Sequence, residues 1–191
     1  RKTDELLFVG RLVEKKGVHL LLEAMPAVLK KHPTVRLILA GSGPMDQELR
    51  QQAQRLHISE RVTFLGMVSQ SRLPELYRTA TLAVFPFIVA KSGDQEGFGL
   101  VQVEAMGCEC PVIAGDLPAI HDIIIHEESG LIIESENVQA LSDAITRTLD
   151  DRDLVVRLAG KGRGRVIQKF DWEIVTRKYA GIYEKLISKQ G

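Results

Sequence analysis

Two carboxylates eight positions apart, Glu96 and Glu104, bracket a glycine-rich turn, Gly97-Phe98-Gly99, that runs into an apolar stretch beginning Leu100-Val101. A glycine-rich entry to a helix leaves backbone N–H groups facing outward, and the positive end of the helix dipole favours negative charge there. This predicts a phosphate subsite at Phe98 to Val101, with Glu96 in the loop before it and Glu104 on the helix beyond. Were the whole span helical it would be about 12 Å long, which suits a diphosphate carried between two sugars. The same spacing is also met by a solvated Glu104 and a Glu96 that only complements the helix dipole.

A diphosphate needs cations, and Arg11 with Lys15-Lys16-Gly17 follows the first apolar run. Arginine grips a phosphate through two hydrogen bonds, and lysine supplies a mobile point charge. The plainer alternative is one capping and one solvated cation ahead of a helix. Asp94-Gln95-Glu96 has the spacing of a D-x-E clamp for a hard cation beside a diphosphate. A full clamp draws on further ligands, and the cationic pair neutralises the same charge without one, so neither metal nor cofactor is expected.

Other motifs point away from several chemistries. Gly41-Ser42-Gly43 lacks the third glycine of a dinucleotide fingerprint and follows the second apolar run, not the first. No P-loop pattern occurs, and the five histidines show no metalloprotease spacing. Cys108 and Cys110 read as buried thiols in a reducing compartment. Lysine plus arginine and aspartate plus glutamate balance at 25 each, so no broad basic field points to nucleic acid.

Apolar runs of strand length alternate with helix-period stretches, the pattern of an α/β, Rossmann-like, doubly wound parallel sheet. About six strands are expected: Leu6 to Gly10, Val35 to Ala40, Val62 to Leu65, Leu82 to Phe87, Pro111 to Ala114 and Leu131 to Ile133. Helices are expected from Val18 to the Lys30-Lys31-His32-Pro33 stop, from Pro44 to about Leu56, at Arg72 to Thr79, at Phe98 to Gly107 and near Ile120 to Ile125. Three C-terminal helices follow, at Val138 to Leu149, Leu154 to Gln168 and Trp172 to Ile187. Gly160, Gly162 and Gly164 predict a break in the middle one. At 191 residues, with 45% hydrophobic and 26% charged, one principal domain is expected. It spans 1–170, with a terminal helix at 171–191. No apolar run is long enough to span a membrane, and a start at Arg1 suggests an excised domain.

Taken together, five stretches resemble one family. They are Phe8-Val9-Gly10-Arg11-Leu12 with Lys16-Gly17, Leu39 to Pro44, Val62 to Gly66, Glu96 to Leu100 through Glu104-Ala105-Met106, and Phe170-Asp171-Trp172. In that order they resemble the C-terminal, donor-binding domain of family 4 retaining glycosyltransferases, whose hallmark is E-x7-E. The resemblance implies one half of a GT-B architecture, in which Arg11 and Lys16 bind the diphosphate and Glu96 faces the donor sugar. It further implies that Glu104 accepts from the ribose hydroxyls and that Gly97, Phe98, Gly99, Leu100 and Val101 offer backbone amides. Met67 and Val68 would meet the base, and Gly41 and Ser42 would line the cleft.

The implied reaction is hexosyl transfer, with retention, from a UDP-, GDP- or ADP-sugar to a saccharide or lipid-linked acceptor. The resemblance implies that the acceptor pocket belongs to an N-terminal domain outside this chain. The implied setting is polysaccharide biosynthesis in the cytoplasm, with peripheral membrane association through that other domain left open. Two other functions share these residue types: a sugar-nucleotide epimerase and a non-catalytic nucleotide-binding module. Pro118-Ala119 stands where many relatives carry Gly-Gly, which puts sugar or acceptor contacts at that edge in question. Base, sugar, acceptor, linkage and oligomeric state are not determined by these motifs.

Overall fold

The computed structural model describes residues 4–187. Six strands, β1 (Glu5–Val9), β2 (Arg36–Ala40), β3 (Val62–Gly66), β4 (Leu82–Phe85), β5 (Val112–Gly115) and β6 (Leu131–Ile133), form one sheet in the order β3-β2-β1-β4-β5-β6. Every pairing is parallel. The central strands are apolar on both faces: Leu6, Leu7, Phe8 and all of β4 and β5 are buried, whereas β3 and β6 are partly exposed. Double burial is what a parallel sheet covered by helices on both sides requires.

The helices are α1 (Val18–Lys31), α2 (Asp46–Arg55), α3 (Leu73–Thr79), α4 (Leu100–Gly107), α5 (Ile120–Ile123), α6 (Val138–Asp150), α7 (Arg152–Lys169) and α8 (Trp172–Ile187). Helix α1 packs on α2 and α6, while α4 packs on α3 and α7, giving a layer on each face. The chain leaves β3 at one edge and returns to β4 beside β1. The helices that follow β1 and β4 therefore lie on opposite faces of the sheet, and the carboxyl ends of these two strands form the switch point at which open α/β sheets offer a ligand crevice.

Several expectations are corrected. Strand β4 stops at Phe85, because Pro86 has no N–H to donate to the sheet. Helix α4 begins at Leu100 and not at Phe98, because Gly99 has φ +80°, outside the right-handed helical region. Helix α7 is continuous through its three glycines. Gly162 is buried, and a Cβ there would come within 3.0 Å of the Ser129 carbonyl oxygen and 3.5 Å of Met106. Close packing of α7 onto α4 outweighs the low helix propensity of glycine. Of the cysteines, Cys110 is buried as expected, while Cys108 is half-buried, and both are thiols.

Helix α8 has no buried residue and carries exposed Trp172, Tyr179, Ile182, Tyr183 and Leu186. Among the described residues, no helix is long and apolar enough to cross a membrane.

Gly160 and Gly164 have open space where a Cβ would project. Gly160→Ala and Gly164→Ala are expected to stabilise the chain by up to about 1 kcal/mol each, read as a higher melting temperature. Gly162→Ala is expected to lack that gain, and an equal rise in all three variants contradicts the packing account.

Candidate functional site

The β1–α1 connection is bound to both neighbouring loops. Leu12 N–H donates to Ser42 O at 3.0 Å, and Gly41 N–H donates to Gly66 O at 2.8 Å, so the ends of β1, β2 and β3 meet. On the other side, Ile88 N–H donates to Lys15 O at 3.0 Å. Gly17, with φ +65°, lies so close to Pro86 that a Cβ would sit 1.8 Å from its carbonyl oxygen. Only glycine satisfies both conditions. The 3₁₀ turn Glu14–Lys16 is thereby pressed onto the loop that leaves β4.

That contact brings Lys16 to Glu96. Their side chains form an ion pair, each about one-seventh exposed (13% and 15%), and the Lys16 ammonium stands 4.5 Å from the centre of the Phe87 ring. The second Glu96 oxygen, Oε1, accepts from Gly99 N–H at 3.2 Å and, at the limit of hydrogen bonding, from Phe98 N–H at 3.5 Å. One carboxylate thus draws together the lysine and the outward-facing amides of the turn. Burial raises the Glu96 pKa, but the Lys16 ammonium and the Phe98 N–H outweigh it and hold the carboxyl below its ordinary value. Phe98 also packs edge-on against Phe170 at the end of α7, with ring centres 5.9 Å apart, which ties the turn to that helix.

The amides assigned to a phosphate at Phe98 to Val101 are therefore engaged in part by Glu96 itself. The carboxylate folds onto the subsite instead of standing before it. Asp94 does not join Glu96 as a clamp either: it pairs with Lys15 at 3.0 Å, leaving each acid facing its own lysine. Among the described residues no group of three or more His, Cys, Asp or Glu could hold a metal.

The remaining predicted residues lie on the same edge of the sheet. Arg11 is exposed on the loop that carries Lys16, and Met67 is 86% exposed just beyond β3. Val68 is half-buried against the core, and Leu100 is exposed at the start of α4. Glu104, one turn farther along α4, accepts from Gln70 Nε2 at 3.0 Å and from the Tyr77 hydroxyl at 3.1 Å. Sequence reasoning had no part for Gln70 or Tyr77. Tyr77 falls four positions after Leu73 on the inner face of α3, where it reads as core, and only tertiary packing reveals its polar end. A cleft of about 590 Å³ between Asp4, Thr81, Glu109 and Arg152 lies at the opposite, amino-terminal end of the strands, away from all these groups.

The family model described as glycosyl transferases group 1 matches residues 1–165. The chain belongs to this family. It is 31% identical to a GDP-mannose-dependent alpha-(1-6)-phosphatidylinositol monomannoside mannosyltransferase of Mycobacterium tuberculosis, over 90% of this chain and 45% of the relative. The Anabaena protein HepE, solved in complex with UDP-glucose, superposes with a TM-score of 0.82 at 30% identity, over 98% of this chain and 49% of HepE. The C-terminal domain of a group 1 family protein from Francisella tularensis superposes at 0.77 and 28% identity, over 88% and 86% of the two chains. This group 1 chain spans about half the length of the curated relatives it matches.

Because the folded-state pKa of Glu96 is lowered, its pairing stabilises the fold above the ordinary value of 4.5 and is lost as pH falls through the folded value. Melting temperatures of the wild type and Glu96→Gln are expected to differ most near neutral pH and to converge below about 4.5. A constant gap across that range contradicts the assignment.

Proposed function

We propose that this chain is the donor-binding half of a retaining glycosyltransferase that moves a hexosyl group from a nucleoside-diphosphate sugar to a saccharide or lipid-linked acceptor. The observation that carries the reading is the convergence of the Lys16 ammonium and the Phe98 and Gly99 N–H groups on one carboxylate at the carboxyl edge of β1 and β4. Those donors suit a phosphate oxygen as well as a carboxylate oxygen. The diphosphate displaces Glu96 from them, and the released Glu96 turns to the donor sugar. Arg11, exposed on the same loop, supplies the second cation.

When the bond from the anomeric carbon to the diphosphate breaks, negative charge grows on the leaving oxygen. Lys16, Arg11 and the turn amides stabilise that charge more in the transition state than in the ground state, which converts binding into rate. The acceptor attacks from the face the diphosphate leaves, so configuration is retained and Glu96 acts through position and charge rather than as a covalent nucleophile. In this scheme the two cations do the work a metal would otherwise do. Glu104 receives ribose hydroxyls, and the base lies near Met67 and Val68, with Gly41 and Ser42 along the cleft.

A second half supplies the acceptor pocket and the other wall of the open crevice. The exposed aromatic face of α8 packs toward it, since monomeric proteins seldom leave so many large apolar side chains in water. A relative is named for GDP-mannose and a solved neighbour holds UDP-glucose. Both bases therefore enter the test.

Calorimetric titration of the chain with UDP, GDP and ADP is expected to give a clear preference for one of them. Lys16→Met is expected to weaken that ligand about tenfold or more, the scale of a lost charged hydrogen bond. Glu96→Gln, which removes the resident anion, is expected to tighten the sugar-free diphosphate. Absence of binding, or affinity indifferent to Lys16, overturns the reading. The isolated chain is expected to transfer no sugar, and robust transfer contradicts the need for a second half.

A further inference from the structure

The two oxygens of Glu104 are held unequally. Oε2 accepts from the hydroxyl of Tyr77, a side chain 1% exposed in the core between α3 and the sheet, whereas Oε1 accepts from the exposed Gln70 in the loop after β3. Helix α3 packs directly on α4, and the core encloses the tyrosine ring on which this hydroxyl is carried. Gln70 sits at the surface, in the turn between β3 and α3. One oxygen is therefore held from within the core, and the other by a partner exposed at the surface.

We infer that Tyr77 is a positioning residue: it locks the Glu104 carboxylate so that Oε1, after Gln70 is displaced, meets the ribose hydroxyls of the nucleotide. The inference rests on the reading of Glu104 as the ribose acceptor. Burial first, and then the adjacent Glu104, push the Tyr77 hydroxyl well above the ordinary tyrosine range, so it remains a proton donor at any working pH. A carboxylate with one oxygen anchored has lost its rotational freedom before the ligand arrives, and that ordering is not charged against binding.

The test uses UDP and GDP, each beside its 2′-deoxy and 3′-deoxy analogues, titrated into the wild-type chain, Tyr77→Phe and Glu104→Gln. Phenylalanine keeps the ring that fills the core, and a melting temperature within a few degrees of wild type verifies the fold. The wild type is expected to prefer the ribonucleotide, and Glu104→Gln to lose that preference. Tyr77→Phe is expected to cut the preference about fivefold or more, while affinity for the deoxy analogues stays unchanged. If Glu104→Gln loses the preference and Tyr77→Phe keeps it, Tyr77 only packs α3 on α4 and the inference falls. A Tyr77→Phe variant that weakens ribo and deoxy ligands alike overturns it too. If the wild type shows no preference, or Glu104→Gln keeps it, the ribose reading itself is wrong and the inference goes with it.

Discussion

The site depends on a contact between two loops that are about 80 residues apart in the chain. Gly17 lies against the Pro86 carbonyl with no room for a side chain, and the Lys15 carbonyl takes the Ile88 N–H. Because β1 and β4 are parallel neighbours, their carboxyl ends already emerge side by side, and the glycine lets the two connections close onto each other. Without that approach Lys16 would be one more solvated lysine before a helix, and Glu96 a loop carboxylate. With it, both are mostly removed from water, where a charge pair is screened less by salt than it would be on the surface.

Burying charge costs free energy unless each charge is met. The loop from Lys91 to Gly99 handles this by pairing in register: Lys15 with Asp94, Lys16 with Glu96, and the spare oxygen of Glu96 with the turn amides. Both lysines of the turn thus face a carboxylate. Under the proposed function the site is an exchange surface, in which the diphosphate competes with Glu96 for donors already aimed at a single point. Glu104 follows the same logic with neutral partners, one buried and one exposed.

The rest of the fold supports this edge. Helix α7 lies tight against α4 because Gly162 lets it, and Phe170 at its end meets Phe98 in the turn. The turn is therefore braced by the α7–α8 junction, the same point from which α8 carries its exposed aromatic residues.

Several features were legible in the residues alone. Alternation of strand-length and helix-period apolar runs set the α/β class and all six strands, because in a doubly covered parallel sheet the core strands must be apolar throughout. Glycines and charges at strand ends marked the candidate site, because loops open to a ligand need free backbone and local charge, and the structure brings Lys16 and Glu96 together there. Element ends were less legible. Pro86 and Gly99 each moved a boundary by two residues, and the α7 glycines proved to be a packing device and not a break. What only the tertiary structure decided was partnership: that Glu96 occupies the amides it seemed to flank, that Asp94 belongs to Lys15, and that a tyrosine resembling plain core holds Glu104. The physical reason is that a one-dimensional pattern records which side chains are apolar or charged. Which of them meet is fixed by strand order and by the few positions where two backbones can touch.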